Sequence, residues 1–242
     1  MKTGIYTVLY TVISNLAIVL CFIPLFLLSW KKLRKDKAYW MVGIYWLATG
    51  LVNLPNFGSA FAVQAGHTPL QDKLKLIYNL LDTPLILLIF LYSTPGKKHK
   101  KHLLLVLVLF MVMEGVILNW KGYDPVSSSM IIGAGMLLVF SYSVTGLVQY
   151  MRKMEHTSFE NSMVFVHAAL LFAYGSFIII YAFIRIRPDS MDRQDSFMIY
   201  YISLLFSSAV TCLGLWSYGI RRNADASYKP PYSAKRQASG QA

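Results

Sequence analysis

The chain has 242 residues, of which 56% are apolar and 14% charged, whereas ordinary soluble proteins carry about 25% charged residues. This composition excludes a soluble globular fold. The net charge of +12 lies in short stretches beside apolar runs, not on a basic face with interleaved aromatics, so nucleic acid is excluded as a partner. The lipid bilayer is the expected surroundings, because each span needs roughly 20 apolar residues to cross about 30 Å of hydrocarbon.

Seven spans are predicted in chain order. The first, residues 5–30, is longer than a secretory apolar region of about 7–15 residues and has no small-residue cleavage site before the basic cluster, so it reads as a retained helix. Lys31, Lys32, Arg34, Lys35 and Lys37 follow it. The second span, 39–63, leads into a polar turn over 64–72. The third, 74–94, ends at Pro95-Gly96 and the basic run 97–102. The fourth, 103–120, is closed by the turn signature Lys121-Gly122-Tyr123-Asp124-Pro125. The fifth, 128–150, precedes Arg152 and Lys153, the sixth covers 162–184, and the seventh 197–220. The expected fold is therefore an all-α, polytopic seven-transmembrane-helix bundle over residues 1–222. Residues 223–242 form a polar tail without apolar periodicity, expected to be disordered.

Lys and Arg fix the expected orientation. With the N-terminus outside, 16 of the 23 basic residues fall on the inner side and seven on the outer, as the positive-inside rule requires. The C-terminal tail is then cytoplasmic, and the protein is expected in a cell inner (plasma) membrane. Trp30, Trp40, Trp120 and Tyr150 sit near span ends, where an aromatic belt belongs. Pro24, Pro55 and Pro84 interrupt spans one to three, while spans five to seven carry no proline. This asymmetry argues against a transporter built from duplicated halves. Cys21 and Cys212 lie in apolar runs and read as small buried hydrophobes.

Ionisable side chains at membrane depth cost a few kcal/mol and so mark candidate sites. Asp82 lies roughly 14 Å into span three at 1.5 Å per residue, near the midplane. Asn79 is one turn away on the same face, and Pro84 leaves the carbonyl of Leu80 without its helical partner. Asp82 reads either as a ligand or proton site or as a protonated acid bonded to a neighbouring helix. Glu114 of span four lies at similar depth. Gly115 beside it permits close approach of another helix. If the two acids face each other, they share one proton; if not, each is a separate packing polar. Asn53 and Asn56 flank Pro55 on one face, where they can satisfy freed backbone groups or meet a ligand.

His167 of span six is expected as a packed core residue or a proton relay. With no second histidine in any span, no metal site is expected. Tyr200 and Tyr201 would supply an aromatic wall. Ser203, Ser207 and Thr211 on span seven, and Ala169 and Ala173 on span six, read as helix-packing seams.

Seven spans, an outer N-terminus and a short basic tail resemble the microbial rhodopsins. The third span, Lys75-Leu-Ile-Tyr-Asn-Leu-Leu-Asp82-Thr83-Pro84-Leu-Ile-Leu-Leu, is similar to the rhodopsin third helix, with its basic residue near the start and its Thr-Thr-Pro-Leu-Leu-Leu run. The resemblance covers one helix of seven. It implies a retinal attached through a lysine of the seventh helix, yet span seven has no lysine and the counter-ion position, six residues before the proline, is Tyr78. A covalent retinal protein is therefore not expected.

The functional expectation is a binding or sensor bundle. Its small-molecule cavity opens to the outer half between spans two, three, four, six and seven, and its signal passes to a membrane-protein partner through the basic cytoplasmic loops. A small-solute or proton-coupled transporter, with Asp82 or Glu114 as the proton site, and a structural subunit of a membrane complex are the alternatives. No nucleophile–base pair occurs at a recognisable spacing, so no enzyme and no cofactor are expected.

Overall fold

The computed structural model describes residues 2–31, 33, 36–57, 69–122, 124–186 and 193–227. Among these residues there are seven α-helices and one 3-10 turn, and no strand. They are α1 (Lys2–Trp30), α2 (Lys37–Asn53), α3 (Pro69–Ser93), α4 (Lys97–Lys121), α5 (Pro125–Met151), α6 (Ser158–Ile186) and α7 (Arg193–Ser227), with the 3-10 turn Leu54–Asn56 after α2.

Local chemistry sets the ends. Asp36 caps α2 by accepting from the Ala38 amide at 3.0 Å, and Asp124 caps α5 by accepting from the Ser127 amide at 2.6 Å. Both satisfy amides that a helix start leaves open. Ser127, through its side chain first and its amide second, also holds the Asp124 carboxyl below the usual carboxylate range. Gly96 and Gly122 take positive φ, 93° and 71°, at the two ends of α4. These are conformations that glycine alone adopts without strain.

Three boundaries differ from the sequence reading. Span two was expected over 39–63, but α2 ends at Asn53 and Leu54–Asn56 turn as a 3-10 segment. Pro55 has no amide to continue the α-helical ladder. Residues 58–63 of that span lie outside the described residues. The basic run before span four is helical, because Lys and His on the exposed first turns of α4 cost the helix little. Residues 223–227, placed in the tail, continue α7, and the rest of the tail is outside the described residues.

Among the described residues, six helices are long and apolar enough to cross a membrane, as befits an integral, multi-pass membrane protein. The exception is α2, whose 17 residues rise only about 25 Å. Apolar side chains face outward: Leu104, Leu105, Val108, Leu109, Met111, Val112 and Val116 of α4 are 49–57% exposed. Water would penalise so continuous an apolar face, whereas hydrocarbon solvates it.

Neighbouring helices in sequence are neighbours in space, and α7 returns against α1 to close the ring. Ring and hydrogen-bond contacts fix the directions. Tyr10 meets Tyr201 with ring centroids 5.7 Å apart, and twenty residues later Trp30 meets Trp216 at 6.3 Å, so α1 and α7 run the same way. Lys31 ties off that seam by donating to the Trp216 carbonyl at 2.6 Å. The α6–α7 pair is antiparallel: Phe172 packs on Phe206 at 4.4 Å, and Ser162 Oγ donates to the Gly214 carbonyl at 2.8 Å.

Small residues set the close approaches, but not all where expected. A Cβ at Gly115 would meet nothing within 4 Å, so the helix contact expected there is not made among the described residues. It occurs at Gly135 of α5, where a Cβ would lie 2.1 Å from Thr83 Oγ1, and at Gly214. Ser203, Ser207 and Thr211 are buried in the interior of the bundle, and Thr211 returns its hydroxyl to the Ser207 carbonyl at 2.9 Å.

Gly214 generates a test. An added methyl would meet Phe165 Cβ at 2.6 Å and the Ser162 carbonyl oxygen at 2.9 Å, and that backbone oxygen cannot swing aside. Gly214→Ala should lower stability by about 1–3 kcal/mol, the usual cost of overpacking. Thermal unfolding in detergent micelles measures it, with Leu213→Ala on the exposed face as the reference. Equal midpoints for the two variants would show that the α6–α7 seam is looser than described.

Candidate functional site

A cavity of about 890 Å³ opens between α2, α3, α5, α6 and α7, with Tyr10 of α1 at its edge. It occupies the half of the bundle in which the odd-numbered helices begin. Each wall follows from a helical stripe. On α2, Tyr45, Thr49 and Asn53 recur every four residues and Asn56 follows on the 3-10 turn, so all four face the same way. On α3, Lys75, Asn79 and Asp82 repeat at four and three. Phe177 and Ala173 face in from α6, and Tyr200, Tyr201 and Leu204 from α7.

Polar contacts link these walls across the cavity. Tyr174 of α6 donates to Asp82 Oδ2 of α3. Tyr78, one turn before Asp82, approaches the same carboxylate while sharing a 3.0 Å hydrogen bond with Thr49 of α2. Asn53 Nδ2 donates to the Tyr200 hydroxyl at 3.0 Å and to the Thr49 carbonyl at 2.9 Å. Asn56 Nδ2 donates to the Tyr201 hydroxyl at 2.9 Å. Phe177 stacks on Tyr200 with centroids 5.2 Å apart. Thus the Asn53 amide serves the backbone of its own helix and reaches across to α7.

Asp82 is the centre of this arrangement. It keeps partial exposure while lining the cavity. Its Oδ1 is buried without a hydrogen-bond partner of good geometry. Pro84 lies two residues further along an α3 that continues through it.

Of the residues singled out in the sequence, Asp82, Asn53, Asn56, Asn79, Tyr200 and Tyr201 meet at this one cavity. Glu114 and His167 do not line it. Glu114 is 6% exposed on α4, and its Oε1 is buried without a partner. The close pairing of Gly135 with Thr83 sets α5 directly against α3, and a Cβ at Gly135 would also lie 3.4 Å from the Phe110 ring of α4. That contact leaves α4 without a place on the cavity wall, so Ile132 and Met136 of α5 stand where span four was expected. His167 stacks on Phe90 with centroids 5.0 Å apart and planes 6° from parallel, over Gly146, where a Cβ would lie 2.4 Å from its ring. Its place is a tight α3–α5–α6 contact.

Tyr45, Trp46, Thr49 and Tyr174 complete the site. The signal for Tyr45 and Thr49 was the four-residue recurrence Tyr45, Thr49, Asn53 on α2, and that for Tyr174 the aromatic enrichment of spans six and seven, while Trp46 carried none. Comparison with known protein families, curated proteins and solved structures gave no match.

The cross-cavity bonds are measurable in pairs. A double-mutant cycle with Asn53→Ala and Tyr200→Phe should show coupling of about 0.6 kcal/mol, the mean for polar pairs within membrane bundles. Coupling indistinguishable from zero would mean that α2 and α7 are not joined there.

Proposed function

We propose that this chain is a seven-span protein of a cell inner (plasma) membrane that binds a small molecule between its helices, in the manner of a sensor, and performs no chemistry on it. The observation that supports this reading is the convergence of Asn53, Asp82, Tyr174 and Tyr200 from four helices on one cavity of about 890 Å³. Ligand pockets typically run about 300–1,000 Å³, mostly apolar with a few convergent polar groups. In this reading α2 is the seventh span. Two close approaches to α1 support it: Gly43 lies against Leu28 and Gly50 against Cys21 and Phe22, so α2 runs antiparallel to a helix that is itself long enough to cross. The bias of 16 basic residues against seven supports a cavity in the outer half and basic loops at the cytoplasmic face, where a partner protein would read the signal.

Two experiments test the proposal. Single cysteines placed at Gly122 and at Arg152, in a Cys21→Ser, Cys212→Ser background, should react with a membrane-impermeant maleimide from outside at Gly122 and only after permeabilisation at Arg152. The reverse pattern, or equal labelling, would overturn the orientation. For the cavity, the full chain in lipid nanodiscs is screened for small molecules that raise its unfolding temperature. A ligand at 100 times its Kd contributes about 2.7 kcal/mol. Ala173→Phe, which fills the cavity wall, should abolish the shift, while Glu114→Gln and His167→Phe should leave it within error. A ligand whose shift survives Ala173→Phe undiminished binds elsewhere and defeats the cavity reading. A carrier reading rests on Asp82, an acid in the cavity, and would be favoured by solute flux into vesicles that Asp82→Asn abolishes.

A further inference from the structure

The cavity holds one acidic side chain among its described lining residues, and that acid is surrounded by rings. Tyr45, Tyr78, Tyr174 and Tyr200 all lie near enough to interact electrostatically with the Asp82 carboxylate. Trp46 and Phe177 also line the cavity. The Tyr174 hydroxyl satisfies Oδ2, whereas Oδ1 has no hydrogen bond of good geometry, although the Tyr78 hydroxyl approaches the same carboxylate. No basic side chain forms an ion pair with Asp82 among the described residues. Lys75, the one basic residue of the described lining, stands seven positions earlier on α3, an axial rise of about 10 Å. An acid at this depth is costly unless it is neutralised, and either a proton or a cation does so. The faces of tyrosine, tryptophan and phenylalanine rings attract cations and offer an apolar body little obstruction. A carboxylate beside tyrosine hydroxyls, in a cavity lined by aromatic rings, therefore has the chemistry of an ammonium site.

We propose that the cavity takes a small organic cation, with its protonated nitrogen at the Asp82 carboxylate and its apolar body against Trp46, Phe177 and Tyr200. The ammonium supplies the donor of good geometry that Oδ1 lacks, and Tyr174 holds the carboxylate in place through Oδ2. Asn53, Asn56 and Asn79 present neutral polar groups further along the same walls. Lys75 disfavours a second positive charge toward the beginning of α3, which limits the ligand to one cationic end. This inference rests on the ligand-binding reading of the same cavity and narrows it to a charge class.

Three probes of one skeleton isolate the charge: 4-phenylbutylamine, 4-phenylbutanol and 4-phenylbutyrate. Each is titrated by calorimetry into the full-length protein in nanodiscs of zwitterionic lipid, against empty nanodiscs. The amine should bind saturably, at least tenfold more tightly than the alcohol or the acid. Asp82→Asn should weaken the amine at least tenfold and leave the alcohol within twofold. Because the comparison among probes uses the unaltered protein, it stands even if Asp82→Asn does not fold, which gel filtration would reveal. Alcohol or acid binding as tightly as the amine, with Ala173→Phe blocking either, would overturn the cation assignment and leave the cavity reading intact. Absence of saturable binding for all three would overturn the cation assignment as well, and the ligand screen with Ala173→Phe would then judge the cavity reading separately.

Discussion

Every polar group that this chain carries into hydrocarbon must find its partner inside the protein. Water cannot supply one there, and each failure costs several kcal/mol. The helices answer for the backbone. The side chains largely answer locally too: Thr11, Cys21, Thr49, Ser141, Thr145, Ser176 and Thr211 each return a hydroxyl or thiol to the carbonyl four residues earlier. These residues stay polar in composition yet present little that is unsatisfied. Against this background the groups that reach across to another helix stand out. They are few, and Asn53, Asn56, Asp82, Tyr174, Tyr200 and Tyr201 gather at one place.

The same demand explains why some acids form part of a site and others do not. Asp82 receives a phenol from α6 and sits where walls from five helices leave a gap. Glu114 lies behind the Thr83–Gly135 contact, on a helix whose outer face is almost wholly apolar. Its neighbour Gly115 opens onto empty surroundings. The two carboxyls therefore have different settings, because the Thr83–Gly135 approach seats α5 on the cavity wall and Glu114 belongs to α4, which does not line it. His167 is likewise held by ring stacking and by the missing side chain of Gly146, a setting that favours a fixed imidazole over one that turns.

Much of this was legible in the chain itself. Apolar run length gave the helices, since hydrocarbon thickness imposes it directly. Asp82, Asn79, Asn53 and Asn56 could be assigned to faces because three- and four-residue spacing is a property of one helix alone. What could not be read was which helix meets which. The exchange of α5 for α4 at the cavity depends on a glycine meeting a threonine about fifty residues earlier, and no local spacing encodes that pairing. The end of α2 at Asn53 was half legible. Pro55 stood in the sequence, but Pro24 and Pro84 sit within helices that continue past them, so a proline alone did not say which helix would stop.

The early end of α2 has a mechanical consequence. Below Asn53 its backbone is braced by α1 on one side and α3 on the other, and its glycines fit closely against α1. Beyond Asn53 the helix gives way to a turn, and what holds this rim to α7 is a pair of amide–phenol bonds, from Asn53 and Asn56, in place of interlocked apolar ridges. Bonds of that kind exchange partners readily, whereas packed ridges separate only by opening a void. The bundle thus has one hem that is basted and not sewn: a guest offering its own donors and acceptors can replace those stitches while the rest of the ring stays closed.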